Sequence, residues 1–211
     1  MPNHTLCIDT SAGTSVAVLR GAELLAEYND GHNMGHTEVI GRAIASALAD
    51  AGVAANQIKR VVVGRGPAPF TGLRVGIAAA TMFAAGINAK LFGVVSLDAI
   101  AFEALTDAEQ PLLVTADARR SEVYWALYSG RTKSGAPICI EGPGVIKPAA
   151  LEELLADRGI NALRTQLPVH AAELGKLFEA QLIEGIESTD LTALYLRAPD
   201  AVPTPGKKVS G

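Results

Sequence analysis

The chain has 211 residues, 49% of them hydrophobic, with 22 acidic against 18 basic residues and a formal charge of −4. That is room for one large domain or two small ones, and it is too apolar for a disordered chain. Two cysteines make no disulfide framework, His4, His32, His36 and His170 fall in no zinc pattern, and the acidic balance argues against a stand-alone nucleic-acid binder.

The first apolar run stops at Asp9, before a secretory core of about 7–15 residues can form. No uncharged apolar segment reaches the roughly 18 residues of a membrane span; the nearest, 75–89, is alanine-rich and too short. A cytoplasmic protein with no membrane partner is the expectation.

Leu6-Cys7-Ile8 predicts a strand ended by Asp9-Thr10-Ser11. Residues 15–19 predict a second strand, Arg20-Gly21 a tight turn, and residues 23–28 a third strand, giving an antiparallel meander. The first strand should be the most buried, because its apolar residues are consecutive. His36, Ile40, Ile44, Ala47, Leu48 and Ala51 recur at three and four residues and predict a helix ending near Gly52. Val61-Val62-Val63 predicts a buried strand. Residues 64–69 read as loop, and Thr71 as the cap of a helix through Leu73, Ile77, Ala80 and Phe83 to about Gly86. Residues 91–95 predict a strand, and Ser96 the cap of a helix over 97–105.

A second α/β unit is expected from about residue 110. Residues 112–115 and 122–128 read as strands joined by the polar turn Asp117-Ala118-Arg119-Arg120, and Lys133-Ser134-Gly135 as a turn before a strand at 137–140. Residues 151–158 and 171–183 read as helices, and residues 161–167 show no strand pattern. The second unit is one strand and one helix shorter than the first. The division expected is 4–106, 107–198 and a flexible tail at 199–211, where three prolines accompany little that can be buried.

Four segments carry polar chemistry. Asp9-Thr10-Ser11, at a strand end, suits a magnesium-bound phosphate, and reads equally as an Asx or Ser/Thr turn. The segment Gly64 to Gly76 lies between a strand and a helix, where free N–H groups receive anions. It lacks the Gly-Lys-Ser/Thr of a P-loop, and its prolines remove two donors. Gly72, Gly76 and Ala80 share one helix face, a small surface for close packing or partner contact. His32 and His36 stand four apart without a third metal ligand nearby. Arg119 and Arg120 suit phosphates or carboxylates, or simply a solvated turn. Cys7, inside an apolar run, reads as core rather than nucleophile.

Gly66-Pro67-Ala68-Pro69-Phe70-Thr71-Gly72-Leu73-Arg74-Val75-Gly76 closely resembles the TsaB (YeaZ) family. Asp9-Thr10-Ser11, His36, Ser96-Leu97, Asp117-Ala118-Arg119, Glu122-Val123-Tyr124 and Tyr195-Leu196-Arg197 extend the resemblance over residues 4–198. It implies an α/β fold of the actin, Hsp70 and sugar-kinase (ASKHA) superfamily, with two domains facing a cleft and the second reduced. It also implies a non-catalytic partner of TsaD, the enzyme that places threonylcarbamoyl on the adenosine at position 37 of tRNAs reading codons that start with A. TsaE would join that pair, ATP and metal would belong to TsaD and TsaE, and tRNA would be met only through the complex.

With TsaD absent, a homodimer through the first domain is expected, with Ile40, Ile44, Ala47, Gly72, Gly76 and Ala80 as candidate contacts for both partners. Two departures stand out. Ala68 and Pro69 replace a glycine and a serine of the family pattern, and the stretch after Leu155 lacks a Gly-Asp-Gly segment. Both argue against nucleotide binding. The other readings are a small ATP-binding enzyme of the same superfamily, kinase- or peptidase-like, and an unrelated interaction domain.

Overall fold

The computed structural model describes residues 2–31, 36–106 and 109–197. His32 and the tail at 199–211 lie outside the described residues, and of His36 only the backbone is described.

The chain begins with the expected meander: β1 (His4–Asp9), β2 (Thr14–Arg20) and β3 (Glu23–Asp30), paired antiparallel in sequence. After α1 (His36–Asp50) and a 3-10 turn at Ala55–Gln57, β4 (Ile58–Gly64) joins β1 in parallel. Next come α2 (Phe70–Ile87), β5 (Lys90–Val94) and α3 (Ser96–Ala104). The first sheet has the order β3-β2-β1-β4-β5. The second is β8-β7-β6-β9, built from β6 (Leu112–Asp117), β7 (Val123–Arg131), β8 (Pro137–Ile146) and β9 (Leu163–Thr165). Helix α4 (Pro148–Asp157) precedes β9, and α5 (Ala171–Ile183) follows it.

Strand alternation sorts the core into layers. Leu6, Ile8, Val16, Val18, Val61 and Val63 face α1 and α2. Cys7, Ala17, Leu19, Val62, Phe92 and Val94 point the other way, onto α3 and α5. Both faces are covered, which is why β1 and β4 read as unbroken apolar runs. The same helices bury Leu112, Val114, Ala126 and Tyr128 of the second sheet, whose far face packs Leu113, Trp125 and Leu127 on Leu151 and Leu155 of α4. Helix α5 falls after residue 107, yet it lies on the first sheet. Gly175 permits this: a Cβ there would stand 2.7 Å from the Cys7 sulfur and 2.8 Å from a Leu19 methyl. Ala171 N–H donates to Ser15 Oγ (2.8 Å) and Ala172 N–H to Glu27 Oε1 (3.0 Å), so β2 and β3 cap this helix.

Several expectations need correction. Helix α2 starts at Phe70 behind Pro69, whose ring fixes the entry torsion, so Thr71 sits inside the first turn and caps nothing. Ser96 is the first residue of α3, and its hydroxyl is bonded elsewhere. Residues 163–165 do form a strand. Its three residues pair in parallel with β6 at the sheet edge, held by backbone bonds and mostly exposed, so no hydrophobic alternation announces it. Finally, α2 is 18 residues long with mean hydropathy 1.5, long and apolar enough to cross a membrane. Here its Leu73, Gly76, Ala80 and Ala84 face lies on the first sheet.

Candidate functional site

Two features stand out, a cleft between the sheets and the outer face of α2. The cleft is lined by Ser11 and Ala12 after β1, Pro67 and Pro69, Ser96, Leu97 and Ile100 of α3, Ala116 and Asp117 at the end of β6, Arg119 in the turn after it, Tyr124, Leu167 and Val169. The motifs that sequence reading singled out at 9–11, 66–69, 96–97 and 117–124 thus converge. Their polar groups are bonded to one another. Asp9 is 2% exposed, and its Oδ1 accepts the N–H of Ser11 (2.7 Å) and the Ser11 hydroxyl. Its Oδ2 accepts the Ser96 hydroxyl (2.6 Å), and Ser96 Oγ accepts the Gly66 N–H (3.1 Å). Position 64 admits only glycine: a Cβ there would lie 1.7 Å from Asp9 Oδ2. Thr10 donates to the Gly72 carbonyl (2.8 Å). These bonds weld the ends of β1 and β4 to the starts of α2 and α3.

The 65–69 loop makes a poor phosphate cradle. Arg65 N–H is bonded to the Val94 carbonyl (2.9 Å), Gly66 N–H to Ser96, and Pro67 and Pro69 have none, leaving Ala68. Cleft space is about 60 Å³, against the roughly 300 Å³ or more of a small-molecule pocket. Leu167 and Val169 are among its walls. Among the described residues no cluster of three His, Cys, Asp or Glu is placed to hold a metal ion. Cys7 is fully buried, and burial drives its thiol far above the usual range, so it is a core residue.

Across the cleft, Arg119, Arg120 and Ser121 have φ of 63°, 52° and 58°, a run of left-handed backbone in non-glycine residues. Asp117 Oδ1 accepts the Arg119 N–H (2.9 Å), and the Arg197 guanidinium binds the Glu122 carboxylate and the Arg119 carbonyl (3.2 Å). Tyr124 beside them is raised by burial and by the Asp117 charge.

The residues expected to form a partner surface are placed differently. Ile40, Ile44 and Ala47 are buried under the first sheet, and Ala80 with them. Gly76 faces Thr10, whose Oγ1 would lie 2.2 Å from a Cβ at that position. The small face Gly72-Gly76-Ala80 therefore turns inward and lets α2 approach β1; it is not an exposed contact. Ile40 alone of the six also reaches a groove between α1 and α2, lined by Thr37, Ile40, Arg74, Val75, Ala78, Ala79 and Met82 and holding about 390 Å³. Met82 is 72% exposed and Phe70 45%.

Sequence reading missed this outer face, and also the segment that borders it. Residues 188–197 strap the first sheet. Gly93 N–H donates to the Ser188 carbonyl (2.9 Å), Arg65 pairs with Asp190, and Leu194 N–H donates to the Arg65 carbonyl (2.9 Å). The Tyr195 ring packs on Phe70, with centroids 4.8 Å apart. Tyr195-Leu196-Arg197 was legible as a motif, but its targets were not.

Two α/β sheets sharing their middle helices, with strand-end and turn motifs gathered at a filled cleft, define a two-sheet α/β protein whose open surface lies outside the cleft. The chain belongs to the TsaD family and is similar to proteins of the TsaB (YeaZ) group. The model of the family described as TsaD, tRNA N6-adenosine threonylcarbamoyltransferase, matches residues 32–182. An uncharacterized protein of Mycobacterium tuberculosis is 34% identical over 212 residues, 94% of this chain and 93% of that one. The tRNA threonylcarbamoyladenosine biosynthesis protein TsaB of Escherichia coli is 34% identical over 119 residues, 56% of this chain and 51% of that one. Of an uncharacterized Mycobacterium leprae relative, 39% identical over 80% of this chain, the match spans 46%. The fold is similar to that of YeaZ from Pseudomonas aeruginosa, with TM-score 0.71 at 24% identity, covering 88% of this chain and 95% of that one.

Proposed function

We propose that this protein is the non-catalytic partner of TsaD in forming threonylcarbamoyladenosine at position 37 of tRNA, and that it meets TsaD through the outer face of α1 and α2. The observation that carries this reading is the contrast between its two surfaces. The cleft residues are bonded to one another around about 60 Å³, whereas α2 turns Phe70 and Met82 to solvent beside an apolar groove. Exposed apolar faces of this kind mark contacts with other proteins. The names of the TsaB relatives supply the pathway, and the TsaD-family match supplies the kinship between the two partners.

In this reading the fold is a reduced ASKHA fold. Residues 4–106 form the partner-binding lobe and 107–198 the second lobe, with α5 lent to the first sheet. TsaE joins the pair, ATP and metal are held by TsaD and TsaE, and tRNA is met only in the complex, in the cytoplasm. Alone, the chain forms a homodimer through the same face, so self-association and TsaD compete. The contacts first expected at Ile44, Ala47, Gly72, Gly76 and Ala80 give way to Phe70, Arg74, Val75, Ala78, Ala79 and Met82, with Ile40 at the groove floor.

The test is to deplete the protein in its host and measure the modified nucleoside in total tRNA by mass spectrometry. Loss of the nucleoside, restored by the gene, supports the reading. Normal levels with no second copy in the genome would overturn it.

A further inference from the structure

The outer face of α2 is largely apolar and carries one charge, Arg74. That charge is held in place. Its guanidinium carbon lies 3.5 Å from the Phe70 ring centroid, and its Nε–H donates to the Tyr195 hydroxyl (2.7 Å). Tyr195 in turn packs on Phe70. Among the described residues no acceptor meets Nη1 or Nη2, although the side chain is exposed and lines the groove beside Val75, Ala79 and Met82. A guanidinium fixed by stacking and by its Nε bond has both Nη amino groups left to donate, and loses little freedom when a carboxylate takes one N–H from each.

We propose that Arg74, positioned by Phe70 and Tyr195, is the charged anchor of the partner face, and that its occupant is a helix with an apolar face edged by an Asp or Glu carboxylate. The proposal rests on the reading above, that this face meets TsaD. It also separates the two occupants of the face. None of the residues lining the groove carries a carboxylate, so the groove face of a second copy brings another guanidinium and no anionic acceptor. The apolar floor takes either occupant, while the anchored charge favours the acidic one. Tyr195 acts through Arg74, so it is a positioning residue.

The test uses the full chain, with TsaD titrated by calorimetry and self-association followed by sedimentation, across a series of salt concentrations. The variants are Arg74→Ala, Arg74→Lys, Tyr195→Phe and Met82→Asp, each checked by thermal unfolding. The expected result is that Arg74→Ala and Arg74→Lys weaken TsaD binding tenfold or more while self-association changes less than twofold. Tyr195→Phe, which keeps the ring and loses the hydroxyl, falls between them and the wild type. Salt weakens the wild-type pair more steeply than the Arg74→Ala pair. Lysine fails because it keeps the charge and loses the planar fork.

Wild-type affinity for TsaD in Arg74→Ala, with binding lost in Met82→Asp, would overturn the anchor and leave the face. Unchanged TsaD affinity in both variants would overturn the face and the anchor together. Equal loss of TsaD binding and self-association in Arg74→Ala would overturn the claimed discrimination. No binding of TsaD by the wild type would overturn the function proposed above and this inference with it.

Discussion

Individual side chains decide where this chain tolerates change. Gly76 stands where a Cβ would meet the Thr10 hydroxyl at 2.2 Å, and Thr10 is tied to the Gly72 carbonyl. Gly76→Leu forces a branched side chain into that contact. It should cost about 1–3 kcal/mol, the usual range for overpacking, seen as a lowered Tm at concentrations where the wild type is monomeric. An unchanged Tm would mean that α2 can lift off β1. Asp98 offers a test by pH. It lies in α3 and accepts the Tyr128 hydroxyl (2.7 Å); burial raises it to about 6, against the pull of that bond and of the Arg65 charge. A carboxyl raised in the folded state favours folding when protonated. Its contribution is full below the unfolded value near 3.8 and is lost as pH rises through about 6. Ionised Asp98 thus costs on the order of 3 kcal/mol at neutral pH. Asp98→Asn keeps an acceptor for Tyr128 without the charge. It should raise stability in urea at pH 7.5 and change it little at pH 4. Equal effects at both pH values would show that Asp98 is not the group titrating.

At the scale of elements, α2 is the unusual piece. It satisfies the hydropathy of a membrane span, with one narrow face on the sheet and only 22% of its length buried. Met82, 72% exposed, sits at the groove lip. Met82→Asp therefore removes no core contact. It should leave Tm within about a degree, in the range of surface substitutions, and give a monomer by light scattering at tens of micromolar, where the proposed homodimer of the wild type is expected. A dimer that survives the aspartate would move the interface off this face. The same helix shows what the sequence carries and what it hides. Its glycine-rich start and its periodicity were legible, as were the meander, the valine strand and most of the second sheet, because each is a local pattern of apolar spacing and turn residues. Which of its faces is buried was not legible. Alanines, glycines and valines lie on every side, so the choice of face rests on Thr10, a residue more than sixty positions away. β9 and the 188–197 strap escaped for a related reason: both are held mainly by backbone bonds and rings to distant partners, which leave no period in their own sequence.

The whole molecule is joined through its middle. One continuous cluster runs from Cys7 and Val62 of the first sheet, through Ile100 of α3 and Leu174 and Phe178 of α5, to Val114 and Tyr128 of the second. Further bonds cross the same seam: Tyr128 to Asp98, Ala171 to Ser15, and Arg197 to Glu122 and to the Arg119 carbonyl. The two sheets therefore share their buried surface, and a cut between residues 106 and 107 would separate α5 from the sheet it covers. Cooperative unfolding follows, since neither sheet can lose its neighbour without exposing its own inner face. Calorimetry should give one transition, with calorimetric and van't Hoff enthalpies in agreement. The shared middle also bears on nucleotides. Enzymes that work in an interlobe cleft open and close around their ligand, and here opening would break the Tyr128–Asp98 bond and part the apolar layer around it. The space available is about 60 Å³. A ligand present at a hundred times its Kd raises stability by about 2.7 kcal/mol, which for a chain of this size moves Tm by roughly 5–10 °C, at about 2–4 °C per kcal/mol. Millimolar ATP with magnesium should move the single transition by less than about a degree, with or without Arg119→Ala. A rise of several degrees, abolished by Ser96→Ala, would mean that the cleft opens and that the bonded carboxylate of Asp9 is a closed form of a working site.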